Sequence, residues 1–387
     1  MSNYILSIII PTKNRQYYCL YAVKQILSLG LSNIEICIQD NSDNDELRNK
    51  IKELKAPNVK YNYHDGVLSF VDNFSEAISI SSGEYLCMIG DDDGILPNII
   101  KYVELAREKK LDALIPELGF VYFWPSQERI VDNSELGLLH LCGVRKPKLN
   151  TVHPHKALNV LLNNAAQDYT SLDIPRLYHG IVKRDVLETI KTKTGVYFGG
   201  LTPDMFMAVS LALECESVIR INESITISGI CPKSGSADSA TGKHTGSLSE
   251  APHFRGHINY IWNEKIPSFY SVDTIWAETL LHALISFKRM DLVDKFNLPL
   301  FESICIYKYP EYSQLIKEHS LNLGISSFRM RFAYVSFYLK CLPKRIINKM
   351  IRETQKIARN RYIARRTDIP DIIAAEIAVK KFIEKFH

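Results

Sequence analysis

The first hundred or so residues switch regularly between two hydrophobic rhythms. Ile5 to Ile10 is a β-branched-rich run closed by Pro11, the pattern of a strand covered on both faces. Residues 16–29 carry apolar side chains at helical spacing and stop at Gly30. Ile34 to Ile38 predicts a second strand, with Asp40 just beyond it, and Val59 to Tyr63 a third. Phe70 to Ile80 reads as a helix ended by Ser81-Ser82-Gly83, and Tyr85 to Ile89 as a strand that runs into Gly90-Asp91-Asp92-Asp93-Gly94. A helix over Pro97 to Arg107 and a strand over Ala113 to Pro116 follow. Strands separated by helices predict βαβ units, hence an α/β fold with a mostly parallel central sheet flanked by helices. Ligands of such sheets bind beyond the carboxyl ends of the strands. Asp40 and the acidic run both fall there.

Past residue 116 the rhythm loosens. Residues 117–150 read as an insertion of mixed signals, 155–163 as helix, 177–183 as strand, Asp204 to Leu213 as helix and Val218 to Ile221 as extended. Residues 232–257 are rich in Gly, Ser and Thr and almost free of large apolar side chains, which predicts a long mobile loop. Ile275 to Phe287 and much of 311–387 read as helix. The expected organisation is a first domain over 1–230, a mobile active-site loop over 231–257 and a helical C-terminal extension over 258–387.

Composition narrows the class. The chain has 387 residues, 46% hydrophobic and 23% charged, enough to bury a sizeable core. A net charge of +4 gives no reason to expect nucleic acid as a partner. The eight cysteines form no C-x-x-C pair, which argues against structural zinc. Cys37 and Cys87 lie inside strand-like runs, as buried free thiols of a reducing compartment do. The opening NYILSIIIPTKNR has neither a basic leader nor a small-residue cleavage site, so it reads as a strand and not a signal peptide. No stretch reaches the roughly 18 apolar residues of a membrane span. A cytoplasmic location, with peripheral contact on the inner face of the cell membrane, is the expectation.

The acidic run carries the chemistry. Three adjacent carboxylates repel one another and raise each other's pKa, unless a divalent cation sits among them, and carboxylate oxygens suit Mg²⁺ or Mn²⁺. In a turn after a strand, Asp91 and Asp93 can share a target. Gly90 and Gly94 let the backbone approach a ligand closely.

ILSIIIPTKNR at 5–15, the strand ending at Asp40, and SSGEYLCMIGDDDGILP together resemble family 2 glycosyltransferases of the GT-A fold, over about residues 4–230. The resemblance implies an inverting transfer of sugar from a UDP-sugar donor, dependent on Mn²⁺ or Mg²⁺. It implies that Pro11 and Thr12 line the nucleoside pocket, with Asn14 and Arg15 next to them. Asp40 would accept a hydrogen bond from uracil, Asp91 would contact ribose or sugar, Asp93 would be the principal metal ligand, and Asp92 lies between. Asn73 in Val71-Asp72-Asn73-Phe74 matches the Asn of the family's A-R-N-x-G segment, but the Arg is absent. Lys13 and Arg15 are candidate replacements near the diphosphate. Asp204 in Thr202-Pro203-Asp204 matches the general base, with Pro203 where the family has Glu. In the loop, His244 is the candidate further metal ligand, and Lys233 or Lys243 the candidate phosphate contacts.

Between Arg329 and Arg366 there are twelve Lys or Arg residues and one acid, Glu353, interleaved with Phe328, Phe332, Phe337, Tyr338 and Leu339. An aromatic and basic helical stretch suits an anionic membrane surface, or else a solvated basic face on helices that pack against the first domain. The first fits a glycan acceptor linked to a lipid diphosphate, as in O-antigen or capsule synthesis. Two rival readings are a nucleotidyltransferase that makes sugar nucleotides and a non-catalytic subunit with a GT-A-like domain. The first would need a G-x-G-T-R loop where this chain has PTKNR.

Overall fold

The computed structural model describes residues 4–126, 135–141, 146–232, 245–257, 260–340 and 364–385. β1 (Leu6–Thr12), β2 (Ile34–Asp40), β3 (Val59–Tyr63) and β4 (Tyr85–Met88) lie parallel in the order β3-β2-β1-β4. The sheet continues through β10 (Ile181–Lys183), β6 (Ala113–Ile115), β11 (Val218–Ile221) and β9 (Leu149–Val152). Only β10 and β9 run against the rest, so the sheet is mostly parallel, as the rhythm predicts.

Both faces of the sheet are covered. Leu6, Ile8 and Ile10 of β1 enter one core together with Cys19, Val23 and Ile26 of α1 (Gln16–Ser28), while Ile9 enters the other. This two-sided burial is why β1 shows no polar alternation. Its strand extends past the expected end at Ile10. Pro11 and Thr12 continue in register with Gln39 and Asp40. α2 (Glu46–Glu53), α3 (Phe70–Ser79) and α4 (Ile99–Glu108) complete the first half, and α5 (Pro154–Asn163), α6 (Arg184–Thr194), α7 (Pro203–Glu214) and α8 (Val272–Ser286) belong to the second.

Within 117–150 the described residues form strands and not an inserted loop, with Leu149 and Asn150 in β9 and two further strands in a second sheet. β7 (Phe120–Phe123) and β8 (Leu138–Leu141) join β5 (Gly94–Ile95), β12 (Thr226–Ile230) and β15 (Ala364–Thr367) in the order β15-β8-β7-β12-β5. Residues 258–387 likewise differ from a separate extension. α8 shares a core with α7, β15 pairs with β8, and the helix Ile372–Glu384 buries Ile372, Ala375, Val379 and Phe382 against Leu96, Tyr122 and Trp124. Helical periodicity over 311–387 hid this strand because its four residues, ARRT, carry no apolar alternation. Among the described residues, no helix is long and apolar enough to cross a membrane.

Candidate active site

The acidic run sits between the two sheets, where β4 ends and β5 begins. Its three carboxylates are pulled in different directions. Asp91 is fully buried and paired with Arg15, Nη2 to Oδ1 at 2.8 Å and Nε to Oδ2 at 3.0 Å. Thr12 Oγ1 donates to Asp91 Oδ2 at 2.6 Å. This bidentate contact already supplies the positive charge, so Asp91 does not share a target with Asp93 and is closed to ribose or sugar. Arg15 is correspondingly committed to Asp91, with Nη1 at 3.8 Å from Asp92.

Asp93 turns the other way. Its Oδ2 accepts from the Gly90 N–H at 2.6 Å and the Tyr178 hydroxyl at 2.8 Å, and its Oδ1 from the Gly229 N–H at 2.6 Å. Burial and then the Asp92 charge push its pKa up to about 7. Asp92 Oδ2 accepts from the Cys231 N–H at 3.0 Å, and its carbonyl from Trp124 Nε1 at 2.8 Å. β12 therefore threads past the run, and a Cβ on Gly229 would lie 1.7 Å from the Asp92 carbonyl oxygen. A glycine is required there by close approach. Downstream, buried Gln25 of α1 clamps Ile95 through both its N–H and its carbonyl.

A cavity of about 530 Å³ opens beside this corner. Asp92 and Asp93 line one part of it, and Asp204, Tyr169, Arg176 and Trp276 are also among its walls. Asp204 starts α7, where Pro203 fixes the first turn. Tyr169 donates its hydroxyl to Asp204 Oδ2 at 2.9 Å. Burial raises the Asp204 pKa above the ordinary carboxylate value, against the pull of that hydrogen bond. The structure thus brings the predicted base into the same cavity as the predicted metal ligand.

The expected strand over 177–183 is shorter than its sequence suggests. Residues 177–180 form a tight connection in which His179 adopts φ 61°, a conformation that a non-glycine residue occupies at a cost. His179 Nε2 lies 3.4 Å from Asp93 Oδ2 and Nδ1 lies 2.9 Å from Thr226 Oγ1. Burial holds its pKa down at about 3, so the ring is neutral. Tyr178, His179, Trp124 and Arg176 were not singled out from sequence. The one available signal was a Tyr-His-Gly triplet interrupting an apolar run.

The nucleotide pocket expected at the ends of β1 and β2 has a well-defined floor. Thr12 and Asp40 are register partners, as are Asp40 and Tyr63. Pro11 is buried within β1. Asp40, however, is fully buried, with Oδ1 accepting from the Ser42 N–H at 2.9 Å and Oδ2 from the Tyr61 hydroxyl at 2.8 Å. Here it fixes the loop after β2 and offers no open face to uracil. Exposed Asn14 exchanges hydrogen bonds with Asp43, at 2.9 Å each way, and Lys13 donates to the Asn41 carbonyl at 3.0 Å. Asn73 donates to the Thr12 carbonyl at 3.3 Å, and its buried Oδ1 is without a hydrogen-bond partner, a deficit that a ligand donor would relieve. From the segment over 245–257, Arg255 Nη2 reaches Asn41 Oδ1 at 3.1 Å and His253 packs on Phe70 with ring centroids 5.2 Å apart. Lys233, Lys243 and His244 lie outside the described residues.

Among the described residues, no three His, Cys, Asp or Glu side chains gather in a metal-holding cluster. Asp92 and Asp93, adjacent carboxylates on the cavity wall, are the donor type that Mg²⁺ or Mn²⁺ takes. These ions accept one or two carboxylates and fill the remaining positions with water and substrate phosphate oxygens. An Asp93 carboxyl held so near neutrality is stabilised as the anion by any nearby cation.

Residues 7–134, about a third of the chain, match the family model described as Glycosyl transferase family 2. The chain is 32% identical over 112 residues to the "Putative colanic acid biosynthesis glycosyl transferase WcaA" of Escherichia coli K12, covering 28% of this chain and 40% of the relative. It is 30% identical over 97 residues to the "GalNAc(5)-diNAcBac-PP-undecaprenol beta-1,3-glucosyltransferase" of Campylobacter jejuni, covering 24% of this chain and 30% of the relative. The chain thus spans less than half the length of either curated relative. Among solved structures, S. aureus TarS in complex with UDP-GlcNAc aligns at 12% identity with a TM-score of 0.47, over 97% of this chain and 92% of that one.

Proposed function

We propose that the chain is an inverting glycosyltransferase of surface-polysaccharide synthesis. It moves a sugar from a UDP-sugar donor to a hydroxyl of a glycan acceptor carried on a lipid diphosphate. One observation carries this reading: Asp93, next to Asp92, and Asp204 face a single cavity of about 530 Å³, large enough for a sugar between them.

Asp92 and Asp93 would hold Mg²⁺ or Mn²⁺, whose charge supports a departing nucleoside diphosphate. Asp204 is the base. As the acceptor oxygen bonds to the anomeric carbon, its proton passes to the Asp204 carboxylate and the bond from that carbon to the diphosphate oxygen breaks. Tyr169 holds one carboxylate oxygen, and the N–H groups of the first turn of α7 steady the carboxylate as well. The raised pKa of Asp204 makes its carboxylate a stronger base. Asn73, with its unpartnered Oδ1 beside Thr12, supports a nucleotide at the ends of β1 and β2. Asp40 acts through the loop it anchors.

The acceptor's lipid places the enzyme on the inner face of the cell membrane. Phe328, Phe332, Val335 and Leu339 are exposed along the helix over 327–340, at the spacing of one helical face, and Arg329, Arg331 and Lys340 accompany them. Such a face suits the headgroup region of an anionic bilayer.

The test is release of UDP from a panel of UDP-sugars with Mn²⁺, in wild type, Asp93→Ala and Asp204→Asn. Metal-dependent release that falls at least about 100-fold in Asp93→Ala is expected. Release that survives this substitution refutes the site assignment, and its absence from wild type across the panel favours a non-catalytic subunit.

A further inference from the structure

Arg176 is 8% exposed and lines the cavity that holds Asp204. Its guanidinium makes one hydrogen bond among the described residues, Nη1 to the Thr170 carbonyl at 3.4 Å. No described carboxylate lies within ion-pair distance of it. The one carboxylate whose charge favours it, Glu117, meets Arg220 at 3.7 Å, and the Arg220 charge opposes it. Burial lowers the Arg176 pKa below the ordinary arginine value. Arg15 is the internal contrast. It too is withdrawn from solvent, yet Asp91 meets it with two short contacts. Burying a guanidinium without a counter-charge is costly, and its several N–H donors go largely unused.

The surroundings say what the missing anion belongs to. Thr170, which takes the single hydrogen bond, adjoins Tyr169, and Tyr169 donates to Asp204. Tyr169 also meets Trp276 edge to face, with ring centroids 5.0 Å apart. Arg176 is thus tied to Asp204 through Thr170 and Tyr169, while its charge also reaches His179, 3.4 Å from Asp93, and the UDP titration below separates an anion of the acceptor from the diphosphate.

We propose that Arg176 binds an anionic group, a phosphate or a carboxylate, carried by the acceptor near the hydroxyl that Asp204 deprotonates. A planar guanidinium matches two oxygens of either group. This rests on the glycosyltransferase reading only for the word acceptor; the anion site itself is read from the unpaired charge.

The experiment uses the full chain as wild type, Arg176→Met and Arg176→Lys, followed by thermal unfolding. Without ligand, Arg176→Met is expected to raise Tm by about 2–4 °C, because an uncompensated buried charge is removed. Inorganic phosphate, glycerol 3-phosphate and glucuronate are then added, with glycerol and glucose as neutral controls. At least one of the anions should raise the Tm of wild type, more weakly that of Arg176→Lys, and not that of Arg176→Met. The phosphates and glucuronate separate a phosphate-bearing from a carboxylate-bearing acceptor. UDP titration with Mn²⁺ should give a Kd within about twofold in wild type and Arg176→Met, a difference well under 1.4 kcal/mol. Loss of UDP affinity in Arg176→Met would assign the anion to the donor and overturn the proposal. A lowered Tm in Arg176→Met, or an anion response absent from wild type or equal in all three proteins, would make Arg176 a structural residue. UDP-sugar hydrolysis by wild type is read separately, so its failure removes the transferase reading without touching the anion response.

Discussion

Replacing Arg15 with Met tests whether Asp91 is a structural partner or a ligand-binding residue. In wild type the guanidinium meets both Asp91 oxygens, at 2.8 and 3.0 Å, and the carboxylate is fully buried. Removing one partner of a buried pair typically costs about 3–5 kcal/mol, because the other charge is left uncompensated. The Arg15 side chain is 21% exposed, so some of that loss is screened by water and about 3 kcal/mol is expected. Burial already pushes the Asp91 pKa up to about 7 against the pull of the Arg15 charge, and with Arg15 gone burial and the Asp92 charge raise it further above the unfolded value of about 3.9. A carboxyl with a raised folded pKa destabilises as pH rises above the unfolded value. The loss should therefore be large at pH 8 and smaller at pH 5, where Asp91 takes up a proton. Urea unfolding of wild type, Arg15→Met, Asp91→Asn and the double variant measures it, with Cm and slope followed together. The two single losses should exceed the double loss by more than about 2 kcal/mol. Additive losses, with a coupling under about 0.5 kcal/mol, would refute the pairing and return Asp91 to the pool of candidate ligands.

Three more outcomes follow from the same geometry. Asp204→Asn should lower kcat by about 10²–10⁴-fold while leaving the affinity for UDP unchanged, as titration would show. The Asp204 carboxylate must be ionised to act, so activity falls as pH drops through its raised pKa. Tyr169→Phe removes a hydrogen bond that favours the anion and should move the acidic limb of the kcat/KM profile upward, and a downward or absent shift would remove Tyr169 from its positioning role. Gly229→Ala drives a methyl group into the Asp92 carbonyl and should cost more than about 2 kcal/mol by urea unfolding, whereas Gly246→Ala, with no neighbour within 4 Å, should cost little.

What could be read from the sequence followed from how local each signal is. β1 to β4 and their helices are built from runs whose apolar spacing records both the element and its burial, and all were legible. The strand ends at Asp40 and Asp91 were legible for the same reason. Asp204 was reached through a proline and an acid at a helix start, a local pattern again. The direction of each carboxylate was not legible. Asp91 faces Arg15 across 76 positions of sequence, and Asp93 accepts from Gly229 across 136. Nothing within a few residues of the run records either partner. Arg176 is the sharper case, because an arginine in an ordinary run is usually solvated, and its burial without an ion pair among the described residues belongs to a cavity whose walls come from segments far apart in sequence. Three adjacent acids invite a single shared role; packing instead turns Asp91 to Arg15 and Asp93 to Tyr178 and Gly229.

The threading of residues 364–384 through the second sheet bears on the order of events during synthesis. Tyr122 donates its hydroxyl to the carbonyl of Ile369, 247 residues later, at 2.8 Å, and Ile372 packs against Gly94 at the end of the acid run. A growing chain on the ribosome can complete β1 to β4 early, because those contacts are close in sequence. The wall behind its acids must wait for the far segment to emerge. Nascent chains stopped before residue 364 would hold the strands β1 to β4 with an unfinished corner, a built-in delay between the first sheet and the wall behind its acids.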